Sequence, residues 1–416
     1  MAAVALAIGA GVAVWLATRP PPREPEPPPL AVPSRLSDLA PPPDWSELAA
    51  YQGSITRERF ERALDSVFTM SGAWRRVMQV DKGEVRVETG AAEPFVLRLA
   101  ATAADERAPQ RWWRAAATLP PAPPGRPLAG VNVALDPGHL GGRWGKLEER
   151  WFRVGPAAPV LEGDLTLQVA RLLRPRLEQL GARVTLTRED SEPLTSWRPE
   201  SLLEAGLVAA APGSSEGPRQ LAERLFYRTA EIRARARLIN ERIHPDIVLC
   251  LHFNAEEWGA PGQPVLSDRN HFHLIVHGAV TDAELEFADQ RHELLLRLLQ
   301  RVHEEELALG VTAATVFAEQ TGLPPYQYET GSIRARNLGG TPYVWARNLL
   351  ANRLCRCPVL FYEPYVMNSG EVHARIQAGD YPGERTVAGA RRRSIFREYA
   401  DAVAEGLRRH YQQARR

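Results

Sequence analysis

Residues 131–142 read VNVALDPGHLGG, residues 246–255 read DIVLCLHFNA, and residues 358–369 read PVLFYEPYVMNS. Each is a short apolar run closed by polar residues, and that pattern decides the fold. A near-continuous run of Val, Ile and Leu marks a strand covered on both faces, as in parallel sheets flanked by helices. Between the first two runs, Asp164 to Leu180 carries Leu165, Val169, Leu172, Leu173 and Leu180 on one helical face, and Gly181 ends it. Val184–Leu186 and Phe272–Val276 read as further strands, and residues 229–242, 282–306 and 391–410 as further helices. Strand alternating with helix predicts an α/β domain with a mostly parallel sheet and helices on both faces.

The chain has 416 residues, enough for two or three domains. Its 44% hydrophobic and 24% charged residues are those of a folded protein, which excludes wholesale disorder. Lys+Arg 51 against Asp+Glu 50 leaves a net charge of +1, so no overall basic field exists to hold nucleic acid or anionic lipid. The cysteines, Cys250, Cys355 and Cys357, lack the spacing of a disulfide scaffold or a thiolate zinc site and read as buried apolar residues.

Proline tracts divide the chain. Residues 2–18 are uncharged and apolar and span about 25 Å as a helix. Segment 1–18 therefore reads as a short membrane anchor or a signal segment. It has no basic residue ahead of the apolar run and no good cleavage site after it. Residues 19–43 are a Pro-rich spacer of polyproline II type. Residues 44–118 read as a small α+β module of unassigned role. Thr56 is the expected N-cap of a helix carrying Phe60, Leu64 and Phe68, and Asp81–Glu84 the turn of a hairpin. A second Pro-rich linker covers 119–127, and the α/β domain covers 128–416. Residues 191–227 are an extra segment with no assigned chemistry.

Open α/β sheets place their sites at the carboxyl ends of the strands. There the first strand ends in Asp136-Pro137-Gly138-His139, the second in His252-Phe253-Asn254, and the third in Glu363; Glu162 stands just ahead of the first helix. Two histidines and a carboxylate suit a catalytic zinc site with one open position. A second carboxylate there suits a general base and acid. His271, His273 and His277 fall on one face of a strand and form the rival metal site.

The four motifs DPGHLGG, LEGDLTLQVARLLRPRLEQLGARVTLTR, RARLINERIHPDIVLCLHFNA and PVLFYEPYVMNS, in that order, resemble those of the zinc-dependent N-acetylmuramoyl-L-alanine amidases, the amidase-3 group of cell-wall hydrolases. The resemblance covers the C-terminal domain and not the first 127 residues. It implies His139, Glu162 and His252 as ligands of one Zn2+ and Glu363 as the catalytic carboxylate. It also implies His273 and Asn254 close to the substrate and Arg235 in a structural role. The implied reaction is hydrolysis of the amide between N-acetylmuramic acid and L-alanine of peptidoglycan, outside the cytoplasmic membrane. It also allows a lid within residues 279–310, moved by an activator protein; the other reading of that segment is an ordinary amphipathic helix with a solvated acidic face. A zinc peptidase acting within the stem peptide and a catalytically degenerate wall-binding module are the competing readings.

The chain departs from the family pattern in several places, among them the insert 191–227 and the long stretch 278–342. Leu140 stands where a glycine usually follows the histidine. The stretch from His139 to Glu162 is long and holds two rival carboxylates, Glu148 and Glu149, expected to be exposed. Asp136 reads as a turn former at the strand end, with backing of a ligand histidine as the alternative.

Overall fold

A computed structural model describes residues 35–90, 93–209, 216–259, 264–329 and 331–416. The apolar segment 1–18 and most of the first Pro-rich tract lie outside the described residues. Among the described residues, no helix is long and apolar enough to cross a membrane.

The first described elements are a helix, Arg57–Ala63, and three antiparallel strands: β1 (Met78–Val80), β2 (Glu84–Val87) and β3 (Phe95–Arg98). The Thr56 side chain caps the helix by accepting from the Arg59 N–H, and the Asp81 N–H closes the hairpin on the Glu84 carbonyl. The larger domain follows with β4 (Asn132–Pro137), a two-stranded ribbon of β5 (Trp151–Phe152) and β6 (Val160–Leu161), β7 (Arg183–Leu186), β8 (Ile247–Leu251), β9 (Phe272–His277), β10 (Arg336–Asn337), β11 (Val344–Arg347) and β12 (Val359–Pro364). A hairpin of β13 (Glu384–Val387) and β14 (Ala390–Arg393) comes last.

The main sheet runs β10-β11-β9-β12-β8-β4-β7. β7, β4, β8 and β12 are mutually parallel, and β9 is antiparallel to β12. β9 and β11 are parallel to each other and therefore run against the other four. The strands alternate between two apolar layers. Leu135, Leu249, Leu274, Leu360 and Tyr362 face helices 162–179, 302–321 and 395–414. Ala134, Val248, Cys250, Ile275 and Phe361 face the opposite layer, with Ala236 and Ile239 and, partly buried, Ala351 and Leu354. Double coverage is why these strands read as continuous apolar runs. All three cysteines are buried and unbonded, as expected.

Three expectations need correction. The helix expected over 282–306 is two helices, Ala288–Leu299 and Val302–Thr321, separated at Arg301, whose φ is 58°. Arginine carries no helix-stop signal. The break is held from a distance, because Arg301 donates to the Ser54 carbonyl and to Glu106, both at 2.7 Å. The helix expected over 391–410 begins only at Ile395, after the β13–β14 hairpin.

The third correction concerns the lid. Helix 302–321 packs on β9, β12 and helix 395–414, and helix 288–299 is buried along nearly its whole length. The acidic run Glu304–Glu306 is fully engaged. Glu304 pairs with Arg59 at 3.0 Å, and Glu305 accepts from the Ala116 N–H at 3.0 Å. Buried Glu306 pairs with Arg297 and accepts from the Val359 N–H at the start of β12. That start is the end of the strand remote from Glu363, so residues 279–310 are core and not a cover for the site.

The segment 44–118 packs on the same remote edge. Thr69 bridges Val280, and the Ala279 and Val280 N–H groups donate to the Val67 and Phe68 carbonyls. Arg114 pairs with Asp246 at the start of β8 at 2.6 Å, and Arg415 donates to the Pro120, Pro127 and Ala129 carbonyls. Phe60, Phe68, Trp74 and Val85 belong to the same apolar cluster as the sheet.

Candidate active site

The DPGH turn leaves β4 in a conformation that only particular residues tolerate. His139 has φ 58°, a left-handed value that costs a non-glycine residue about 1–3 kcal/mol and is retained where surroundings over-determine it. Those surroundings are two buried arginines. Arg235 donates to the Pro137 and His139 carbonyls at 2.7 and 3.0 Å, while pairing with Asp136 and Glu231. Arg188 donates to the Pro137 and Gly163 carbonyls at 3.1 and 2.6 Å. Burial, and then Arg235, pushes the Arg188 guanidinium down to about 9. The Thr166 hydroxyl holds the Gly138 carbonyl at 2.7 Å. Gly138 itself is obligatory, since a Cβ there would lie 2.2 Å from the His252 ring. A Cβ on Gly163 would meet the Leu140 and Gly141 backbone at 2.3–2.4 Å, so the turn and the helix start can pack only through glycine.

The structure brings together the proposed ligands. His139, Glu162 and His252 offer one ligand atom each, all within 4.8 Å of one another. Glu162 Oε2 is 3.3 Å from His139 Nε2, and its Oε1 is 3.0 Å from His252 Nδ1. Tetrahedral bonds of about 2.0–2.1 Å give ligand–ligand edges of about 3.3 Å, so this donor set fits zinc. The two rings meet edge-on at 5.1 Å, and Phe361 stacks on His252 at 4.1 Å. The Tyr399 hydroxyl donates to the His252 carbonyl at 3.2 Å. Glu162 is 3% exposed; burial alone would raise its carboxyl, but His139, His252 and Arg150 hold it down to about 2. Among the described residues no other His, Cys, Asp and Glu form such a group, so the rival set does not converge. His271 pairs with Glu256 at 2.9 Å, His273 meets the Tyr328 hydroxyl at 3.2 Å, and His277 is buried against Phe68.

Glu363 ends β12 beside this group. The His252 N–H donates to the Tyr362 carbonyl, and His273 of β9 is the cross-strand partner of Glu363. Burial, and then the charge of Glu162, pushes the Glu363 carboxyl up to about 8. The two carboxyls thus lean in opposite directions, Glu162 toward the ionised form and Glu363 toward the protonated one. Asn254 follows His252, with its Oδ1 taken by the Ala255 N–H at 2.7 Å.

One alternative and one expectation around the site are not met. Asp136 does not back a ligand histidine; its partners are the Thr187 hydroxyl and Arg235. Glu148 is not exposed. It is 2% exposed, accepts from the Leu140 and Gly141 N–H groups, and lies 3.7 Å from His139 Nδ1. Burial would raise its carboxyl, but His139 and those N–H groups hold it below the ordinary value. Glu148 is therefore the group behind His139, while Glu149 is exposed as expected. Leu140 departs from the family pattern for a visible reason. It is fully buried in a cluster with Leu202, Ala222, Leu225 and Phe226, which seats the extra segment 191–227 on the metal turn.

Residues 133–322 match the family model described as N-acetylmuramoyl-L-alanine amidase. That span includes His139, Glu162 and His252 and ends before Glu363. No curated protein matches the chain. Among solved structures, the chain is similar to the N-acetylmuramyl-L-alanine amidase Ami1 from Mycobacterium abscessus, at 19% identity and TM-score 0.36, over 68% of this chain and 99% of that one. It is similar to AmiC2 of Nostoc punctiforme at 16% identity and TM-score 0.37, over 68% and 99%. It is also similar to the CwlD amidase from Clostridioides difficile, solved in complex with the GerS lipoprotein, at 14% identity and TM-score 0.36, over 68% and 98%. By that match, residues 133–322 carry an N-acetylmuramoyl-L-alanine amidase domain.

Proposed function

We propose that the chain hydrolyses the amide between N-acetylmuramic acid and L-alanine in peptidoglycan, with one Zn2+ held by His139, Glu162 and His252. The observation that carries the reading is the convergence of those three ligand atoms within 4.8 Å beside the raised carboxyl of Glu363. Zinc in such a site supplies a Lewis acid for the scissile carbonyl and makes water acidic enough to attack near neutral pH. The protein supplies the rest. Glu363 takes the proton of the attacking water and passes it to the departing alanine nitrogen. Glu148 fixes the His139 ring from behind, so that Nε2 faces Glu162. Arg188 and Arg235 hold the turn that aims His139. Asn254 and His273 border the cleft, where a substrate carbonyl or amide would meet them.

The substrate places the enzyme's work in the cell envelope, outside the cytoplasmic membrane; a tether through residues 2–18 is part of the same proposal. An activating protein is part of the same proposal, acting elsewhere than on the buried segment 279–310.

The test is digestion of purified cell wall by the full chain, with and without a chelator, followed by identification of the new amine. New N-terminal alanine that disappears with chelator and with Glu363→Gln supports the reading. A different new amine would assign the metal centre to a stem peptidase instead, and no new amine at all would leave a wall-binding module.

A further inference from the structure

Next to Glu363, across the β12–β9 pair, β9, β11 and residues 324–329 bring aromatic rings together. Tyr326 stacks on His273 with centroids 4.7 Å apart, and Tyr328 meets Tyr326 edge-on at 4.7 Å. Trp345 lies 4.6 Å from Tyr328. The Tyr328 hydroxyl is 3.2 Å from His273 Nε2, and His273 faces Glu363 across the strand pair. Arg347 reaches these rings from β11. Its Nη1 donates to the Tyr328 hydroxyl at 3.4 Å, and its guanidinium carbon lies 5.7 Å from the Tyr328 ring centre. It is near enough to Glu363 to favour the ionised carboxylate.

Several buried arginines of this chain are neutralised by acids. Arg235 pairs with Asp136 and Glu231, Arg297 with Glu306, Arg353 with Glu293, and Arg375 with Glu398. Others, such as Arg188 and Arg291, spend their donors on backbone carbonyls. Arg347 is half-buried and does neither. Among the described residues, its one polar contact is the long bond to Tyr328, and no carboxylate stands within 4 Å of it. A guanidinium offers five donors in a planar fork suited to a carboxylate. Its remaining N–H groups are not among the buried unpaired atoms, so they face solvent and are open to an incoming anion.

We propose that Arg347, backed by Tyr328 and Trp345, is a specificity-determining subsite for a free carboxylate on the peptide stem of the substrate. This rests on the amidase reading and names which side of the scissile bond is recognised. The muramic acid carboxyl is consumed in the scissile amide, so the sugar side offers hydroxyls and an acetamido group but no anion there. The nearest anion belongs to the acidic residue that follows alanine. Its carboxylate would lie along the β9–β11 pair while the alanine amide sits over Glu363. The tyrosine and tryptophan rings supply an apolar floor for the stem, and the Tyr328 ring lies against the guanidinium.

The experiment uses the full chain and two muramoyl-peptides that differ only at this acidic residue, one with a free carboxylate and one with that group amidated. The wild type should show kcat/KM about tenfold or more in favour of the carboxylate form, the size of a charge-assisted hydrogen bond. Arg347→Ala should bring that ratio to about one, by slowing the carboxylate substrate and sparing the amide. Arg347→Lys should recover part of the preference. Equal rates for the two substrates in the wild type, or an unchanged ratio in Arg347→Ala, would overturn the subsite. The wild-type ratio decides even if a variant does not fold. A wild type that opens neither substrate would overturn the amidase reading itself, and the subsite with it.

Discussion

The two edges of the main sheet both hold buried charged groups but use them in opposite ways. At the edge where β12 begins, the buried acids have their counterparts: Glu306 with Arg297, and Asp246 with Arg114. At the edge where β12 ends, charges are out of balance. Glu162 sits among two imidazoles, Glu363 is held beside it with its carboxyl pushed up to about 8, and Arg347, whose backbone lies beside His277, reaches back to Tyr328 with no acid on it. The first edge is built for stability, with segment 44–118 packed over it. The second is built for chemistry, and its unpaired groups are what a cation, a water and an anionic substrate would complete. The difference teaches how one sheet can be both a rigid platform and a reactive rim: stabilising contacts are collected where no ligand has to enter.

Substitution at each edge should separate these roles. The largest effect is expected at the rim. Glu363→Gln should lower kcat by about 10²–10⁴, the usual worth of a general acid–base group, with bound zinc unchanged. Single-turnover release of alanine-terminated peptide, measured beside metal content, checks this. At the opposite edge, Glu306→Ala leaves buried Arg297 without its partner and removes the acceptor of the Val359 N–H. Loss of one member of a buried pair costs about 3–5 kcal/mol. Chemical denaturation should show that loss, while kcat of the folded fraction stays near wild type. Normal stability in the Glu306→Ala variant would mean that this edge is not a brace for the sheet.

A smaller effect is expected at Glu148, which contacts His139 but not a ligand position. Groups that orient a metal ligand are typically worth 10–100-fold in metal affinity. Glu148→Gln should therefore weaken zinc binding by about that factor in a competition titration with a chelating dye, and leave kcat of the fully loaded enzyme much less affected. Glu149→Gln is the control and should change neither, because that side chain is exposed.

The contrast between the edges also explains what was legible in the sequence. Strands buried on both faces advertise themselves, so β4, β8, β9 and β12 could be read within a residue or two. Their polar ends gave His139, His252 and Glu363. Glu162 required its distance from the apolar helix. The supporting groups were harder. Glu148 and Glu149 are adjacent and chemically identical, and only the turn that gives Glu149 φ 56° sends one inward and the other out. Arg188 had a usable signal, since it closes β7 at the same edge as the ligands, next to β4. The break at Arg301 had none, because the residues that hold it, Ser54 and Glu106, lie far away in the chain. β11 was missed for a related reason. Its four residues, Val344–Arg347, include Trp345 and Arg347 on its less buried face, which interrupts the apolar run that marks a buried strand.

The smallest predicted effect is a slope, and it tests the imbalance of the rim directly. In metal-free protein the Glu363 carboxyl is pushed up from 4.5 to about 8 by burial and by Glu162. Between those values the unfolded chain has lost this proton while the folded protein keeps it. The folded state therefore binds more protons, and linkage makes stability fall as pH rises across that window. Buried histidines act the other way at lower pH: His273 is pushed down to about 3 and His303 to about 4, so their contribution rises with pH up to about their ordinary value. A total stability curve would mix the two, and the comparison with Glu363→Gln isolates the carboxyl. In chelator-treated full chain, the stability of Glu363→Gln relative to wild type should grow steadily from about pH 5 to about pH 8 and then level off. With zinc bound, the added positive charge favours the ionised carboxylate, so the same difference should shrink and its window move to lower pH. A difference independent of pH in the metal-free protein would mean that Glu363 is not held in reserve as an acid, and the division of labour between the two carboxylates would have to be given up.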